Sequence, residues 1–386
     1  MITTKKILKN SFLLLPLILF LTVYNAIPEK ITVFEGTPLK LSFGITADAD
    51  GMPEGNYNYS VRLFDIIPVK TVSVNVAPKA YVIPSGEAIG VKLYTDGILV
   101  LGTGTVTDKT GASREPAKSA GITAGDRIIS VNGEKVTDID ALKKKVNDAS
   151  GKVTLEVIRD GNTLEIPLRA IFSPESNSYL MGLWVRDSAA GIGTLTFYNP
   201  QNSTFAALGH GISDCDTGSL LCIREGSVNY CNVKNIIKSE HGNPGEILGE
   251  FNSSSVGEIK VNSDVGIFGT GPCPENRSAV PVASRFEVSA SSAKLVCDID
   301  GSGPAPYDIE ILRISKNSVD SKSFVFKITD PRLMEKTGGI VQGMSGSPVL
   351  QDGKLIGAVT HVFVNDTSKG YGIFAENMLD MTVKLK

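Results

Sequence analysis

The chain has 386 residues, 42% of them apolar, and a formal net charge of −3. That length suits two or three domains with buried cores, and without a long basic run nucleic acid is not an expected partner. With 39 glycines and only 7% aromatic residues, short strands and many turns are expected.

Lys5, Lys6 and Lys9 precede an apolar run from Phe12 to Val23 that contains Pro16. A basic start before an apolar run is the pattern of an export signal. The run is shorter than the roughly 20 residues of a free spanning helix. Tyr24-Asn25-Ala26 is a poor cleavage site, so residues 1–28 are expected to stay as a signal anchor, with a fully cleaved signal peptide as the alternative; in either case the body of the protein is exported. Residues 29–80 read as a small β-rich segment. Lys70 to Val76 alternates apolar and polar residues as a strand does, and the polar, Gly-containing stretch 48–58 reads as a loop.

Residues 81–170 have a different texture. Strands are predicted over Ile89 to Leu93 and Ile98 to Val106. A short helical patch follows at Pro116 to Ile122, ending at Gly121. Gly125 to Val131 is a strand stopping in an Asn132-Gly133 turn. Asp138 to Asn147 is a helix with Asp138 at its cap, and Asp160-Gly161-Asn162 joins a hairpin. This stretch resembles a PDZ domain, most specifically in Ser119 to Asp138. The resemblance implies peptide binding by strand addition. The receiving edge would comprise Ile89, Gly90, Val91 and Leu93, with Ser85-Gly86-Glu87 offering N–H groups to a terminal carboxylate. A closed module with a covered groove is the alternative.

Residues 171–386 read as all-β, with an Asp352-Gly353 turn between two apolar strands and no helix of length before the last dozen residues. The five cysteines, Cys215, Cys222, Cys231, Cys273 and Cys297, are an odd number, which leaves at least one unpaired in the monomer. Their spacing is not that of a zinc site. No metal and no cofactor are expected.

Gly343-Met344-Ser345-Gly346-Ser347-Pro348 is the strongest chemical signal. A serine nucleophile needs an exposed Oγ and backbone N–H donors for the oxyanion, and flanking glycines permit the turn that aims them. The N–H groups of Gly343 and Ser345 are the expected oxyanion hole. Of the three histidines, His210 ends an apolar strand and is the expected base. His241 lies in a polar turn. His361 lies on the strand after the nucleophile, where with Thr360 it would border the substrate. The stretch before the nucleophile, including Gly339 and Ile340, would line the pocket for the residue preceding the cut bond. It carries no acidic side chain, so small or apolar residues are the expected preference. The orienting acid stays open from the residues alone. Asp264 resembles the first-barrel acid of chymotrypsin-like folds, and Asp214 lies close after His210.

The chain resembles the SpoIVB-type sporulation peptidases over nearly its whole length. Met181 to Pro200, Phe205 to Asp214 and Ile328 to Pro348 carry the likeness. The resemblance implies a mainly β protein: an N-terminal signal anchor, a small β segment, a PDZ-like domain and a chymotrypsin/trypsin-like double β-barrel over 171–386. It implies His210 as base, Asp330 as orienting acid and Ser345 as nucleophile. It further implies a membrane-anchored, exported endopeptidase that cuts its own N-terminal region and is thereby released. Its place would be between the two forespore membranes. Its substrate would be a membrane-bound regulator of an intramembrane protease, and the outcome sigma-factor activation. A catalytically idle PDZ scaffold and an HtrA-like quality-control protease are the other readings.

Overall fold

The computed structural model describes residues 18, 20–22, 24, 27, 29–37, 39–40, 46–47, 53–63 and 67–385. Most of the expected anchor, Phe12 to Val23, therefore lies outside the described residues. Among those described, no helix is long and apolar enough to cross a membrane.

Val72, Val74 and Val76 alternate with Thr71, Ser73 and Asn75, which gives the strand Ile67–Ala77 one buried face. Lys30–Phe34 pairs with it in parallel and Gly55–Leu63 antiparallel. Ile31, Val33 and Val61 complete that face. Phe286, from the far end of the chain, packs into the same cluster and fixes the small sheet on the rest of the molecule.

The PDZ-like unit is a sheet of Asn162–Arg169, Lys152–Arg159, Arg127–Val131 and the second half of Ala88–Thr103. Ile98, Val100, Ile128, Leu155 and Val157 bury its inner face against Leu142 and Val146 of the helix Ile139–Asp148. Asp138 caps that helix, its carboxylate accepting the Ala141 N–H at 2.7 Å. Asn132-Gly133 and Asp160-Gly161 both hold positive φ at two successive residues, as type I′ turns require.

The strand Ala88–Thr103 corrects the expected peptide-binding edge. Its first half leaves the PDZ-like sheet and runs through a barrel. There Ile89, Gly90, Val91 and Leu93 pair with Leu183–Asn199 on one side and Ile223–Ile237 on the other. Ile89, Val91 and Leu93 are buried in that barrel's core. With both edges hydrogen-bonded, no peptide strand can be added. The Ser85 and Gly86 N–H groups are likewise taken, by the carbonyls of Thr196 and Leu195.

The first barrel is a closed ring of Ala88–Thr103, Ile223–Ile237, Glu246–Ser263, Gly266–Thr270, Thr204–Ala207 and Leu183–Asn199, which returns to Ala88–Thr103. The second closes through Ser292–Cys297, Ala305–Ile314, Phe324–Ile328, Lys369–Phe374, Lys354–Val362 and Pro348–Gln351. Closure leaves neither ring with a free sheet edge. Phe324, Phe326 and Phe374 fill the second core and are essentially fully buried. Burial on that scale stabilises by about 1.5–3 kcal/mol per side chain. The helix Ala375–Lys384 closes the chain against the junction of the barrels. All five cysteines are free thiols.

Candidate active site

Strand Thr204–Ala207 delivers His210 through an unusual corner. Leu208 (φ 69°) and Gly209 (φ 71°) both take left-handed conformations, which turn the chain out of the barrel wall. A side chain on Gly209 would meet Thr360 Cγ2 at 2.9 Å. The corner therefore lies directly against the second barrel. Beyond it, the Asn262 side chain accepts the Ile212 N–H and donates to the Ile212 and Leu221 carbonyls, pinning the loop after the histidine.

Ser345 arrives from the other side. Gly343 (φ 100°) and Gly346 (φ 96°) flank it in conformations that disfavour any side chain. A Cβ on Gly346 would lie 2.0 Å from the Thr194 carbonyl and 2.5 Å from the Leu208 nitrogen. The nucleophile loop thus touches the first barrel's backbone beside the histidine corner. Two buried threonines clasp it. Thr194 Oγ1 donates to the Gly343 carbonyl and Thr196 Oγ1 to the Gly346 carbonyl, each at 2.7 Å. The Thr194 N–H also donates to the Ser345 carbonyl. Below the loop, Gln342 forms a parallel bridge with Glu246, through its N–H to the Gly245 carbonyl and the Ile247 N–H to its own carbonyl.

His210 and Ser345 line one cavity of about 340 Å³ with Val91, Ala189 to Ile192, Leu208 and Gly343. His210 Nδ1 lies 2.8 Å from the Gly211 carbonyl. A carbonyl only accepts, so this contact places the ring proton on Nδ1 and leaves the Nε2 lone pair bare, the tautomer a general base needs. Burial pushes the His210 pKa down, opposed by the Gly211 carbonyl. The ring is neutral at pH 7. Ser345 Oγ donates to the Thr360 carbonyl at 2.8 Å. The N–H groups of Gly343 and Ser345 donate to no acceptor among the described residues, which leaves them available to a developing oxyanion.

The expected acids are elsewhere. Asp330 caps the helix Pro331–Thr337 and accepts from the N–H groups of Arg332 and Asp308. The Arg332 guanidinium closes on it at 2.7 Å and, foremost among its donors, holds its carboxyl well below the usual range. None of its partners is His210. Asp214 is buried under the Thr217 and Asp216 N–H groups and Arg186. Burial works to raise its pKa, but those donors win and lower it. Asp264 sits exposed in the turn between Glu246–Ser263 and Gly266–Thr270. None of the three forms a hydrogen bond with the imidazole.

The expected pocket also moves. Ile340 is buried in the second barrel's core. Gly339 packs on the Thr367 backbone, where a Cβ would lie 2.6 Å from the carbonyl. Thr360 turns its hydroxyl to the Ser321 and Tyr371 carbonyls. Neither Gly339 nor Ile340 reaches the cavity, whose apolar wall is instead Ala189 to Ile192 and Val91. His361 lies against His210 with ring centres 5.1 Å apart. His241 is exposed, apart from this cluster. The sequence signals that could have found the rest were the small-residue run Ala189-Ala190-Gly191 and the paired Thr194 and Thr196. The Asp330-Pro331 start also reads as a helix cap.

Fold and site together define a serine peptidase joined to a PDZ-type domain. Residues 177–379 match the family described as SpoIVB peptidase S55, and residues 109–159 match the PDZ domain. The first match spans just over half of the chain, which therefore belongs to the SpoIVB peptidase S55 family. A shorter likeness is to a probable periplasmic serine endoprotease, DegP-like, from Bartonella henselae. It is 42% identical over 71 residues, covering 18% of this chain and only 14% of that protein. Two solved structures of the Rv3671c protease are similar at a distance. The inactive form is 13% identical with a TM-score of 0.30, covering 50% of this chain and 84% of that one. A serine-to-alanine mutant from M. tuberculosis, also inactive, is 12% identical with a TM-score of 0.27 over 50% and 83%. Likenesses this distant carry no weight for fold or chemistry.

Proposed function

We propose that this protein is a self-processing serine endopeptidase of sporulation signalling, with a trypsin-type arrangement of two barrels. The observation that carries the chemistry is the meeting of His210 and Ser345 in one apolar cavity, beside two backbone N–H groups that donate to no acceptor among the described residues. In this mechanism His210 Nε2 takes the Ser345 proton as Oγ attacks the peptide carbonyl. The Gly343 and Ser345 N–H groups hold the oxyanion, and the protonated ring then returns its proton to the leaving amine. The Thr360 carbonyl, now holding the hydroxyl, is a ready acceptor for a substrate N–H, whose arrival frees Ser345 to turn to His210.

Membership of the family supports the wider role: anchoring through residues 1–28, export, self-cleavage near the N-terminus, and cutting of a membrane-bound regulator of an intramembrane protease. The PDZ-type unit would act on the site through shared backbone. Ala88–Thr103 and Leu183–Asn199 each run from its sheet into the cavity wall. The test is expression of the wild type and Ser345→Ala, followed by N-terminal sequencing. Shortening from the N-terminus in the wild type alone supports the reading. Identical shortening of both sinks self-processing.

A further inference from the structure

Leu183–Asn199 supplies the cavity wall and both threonines that hold the nucleophile loop. Two charged residues stand where this strand crosses between domains. Leu183 to Arg186 pair with Thr103 to Leu99 in the PDZ-type sheet, whereas Ser188 and its successors pair with Tyr94 and its predecessors in the first barrel. Asp187 lies in the register break between the two stretches. The side chains of Arg186 and Asp187 reach in two directions. Asp187 Oδ2 accepts the Ile139 N–H at 2.9 Å. Ile139 opens the helix Ile139–Asp148, and the first N–H groups of a helix have no partner within it. The helix dipole also favours a carboxylate there. Arg186 turns instead to the loop after His210. Its guanidinium pairs with Asp214, and its Nη2 lies 3.2 Å from an Asp216 carboxylate oxygen.

The Asp214 side chain is fully buried, and Arg186 is the one cation paired with it among the described residues. A buried carboxylate that loses its cation is left with an uncompensated charge, so the loop around it would shift toward water. That loop belongs to the site: Ile212 and Ser213, just before Asp214, line the cavity with His210. We propose that Arg186 and Asp187 are positioning residues for the hydrolysis: together they tie the first turn of the PDZ-type helix to the loop that follows His210, and so set the base and the cavity wall against Ser345. The inference gives residues to the coupling between the PDZ-type unit and the site, and it rests on His210 as base and Ser345 as nucleophile.

The test is phosphonylation of the full chain by a fluorophosphonate, with the maximal rate kinact separated from KI. Arg186→Met keeps the aliphatic stem and removes the charge, whereas Arg186→Lys keeps a charge that cannot bridge both carboxylates. Asp187→Ala removes the acceptor for the Ile139 N–H, and Asp187→Asn keeps an oxygen there. The expected result is a kinact about tenfold or more below wild type in Arg186→Met and Asp187→Ala, with KI little changed. Arg186→Lys should be intermediate and Asp187→Asn near wild type. Arg224→Met is the control. Arg224 also links the first barrel to the PDZ-type unit, donating to the Thr137 carbonyl at 3.2 Å, but it bonds to neither Ile139 nor Asp214, and its loss should leave kinact within about twofold. Melting temperatures identify variants that fold. If Arg186→Met unfolds the protein, the comparison of Asp187→Ala with Asp187→Asn decides. A folded Arg186→Met or Asp187→Ala protein with kinact within about twofold of wild type, a change in KI alone, or an equal loss in Arg224→Met overturns the proposal. Undiminished labelling in His210→Ala would instead overturn the underlying assignment of the base.

Discussion

Asp330 is the carboxylate that the family resemblance implies as the orienting acid, and among the described residues it forms no hydrogen bond with His210. It stands a short step before the nucleophile, yet it caps a helix and pairs with Arg332. Asp330→Ala is expected to lower stability by about 1–2 kcal/mol through the lost cap, while the folded fraction still reacts with a fluorophosphonate. Melting temperature and labelling of the same sample check this. Its carboxyl is held below the unfolded value, so its contribution is present above about pH 4 and is lost as pH falls through the native pKa. His210 titrates with the opposite charge but the same direction of shift. Burial lowers its pKa, so it stays an active base below pH 6.5. The acid limb of the labelling rate is therefore expected below that pH. A midpoint at or above 6.5 would contradict the buried, Nδ1-protonated histidine. Thr194 is the third residue of consequence. Thr194→Val keeps the shape and removes the hydroxyl from the Gly343 carbonyl, leaving a buried acceptor unpaired at about 1–3 kcal/mol. Labelling is expected to slow about tenfold through misplacement of the adjoining Gly343 N–H.

At the level of elements, the local chemistry was largely readable. Asn132-Gly133, Asp160-Gly161 and Asp352-Gly353 form the turns their composition announces, and Asp138 caps its helix. The Gly-x-Ser-Gly loop and the strand ending at His210 carried the site. What could not be read is pairing between distant segments. Ile89 to Leu93 has the pattern of any buried strand, and nothing local says whether its neighbours are a PDZ sheet or a barrel. The same limit hid the Ala189 to Ile192 wall, which becomes a pocket only when the second barrel is placed across it. Gly97 marks the joint where Ala88–Thr103 passes from one sheet to the other. It has φ 90°, and a Cβ there would lie 2.8 Å from the Ile128 carbonyl. Gly97→Ala is expected to cost about 1–3 kcal/mol, seen as a drop of several degrees in Tm. An unchanged Tm would show that the joint is less constrained than its geometry states.

Across the whole molecule, two closed barrels meet along a seam. Gly346 of one presses on Leu208 and Thr194 of the other, and the peptide cavity opens at that seam. The cavity wall is apolar and carries no acidic side chain. Small or apolar residues are therefore expected before the cut bond. A peptide library should show them enriched, whereas exclusive cutting after Lys or Arg would contradict the wall described here. The PDZ-type unit contributes strands that continue into that wall, so its loss should alter the site as well as any docking of substrate.

The most direct measurement is to react the full-length protein with a fluorophosphonate and map the adduct by peptide mass spectrometry. One adduct is expected, on Ser345, absent in Ser345→Ala and strongly reduced in His210→Ala. An adduct on another serine, or equal labelling of the Ser345→Ala protein, would contradict the active centre built from these two barrels.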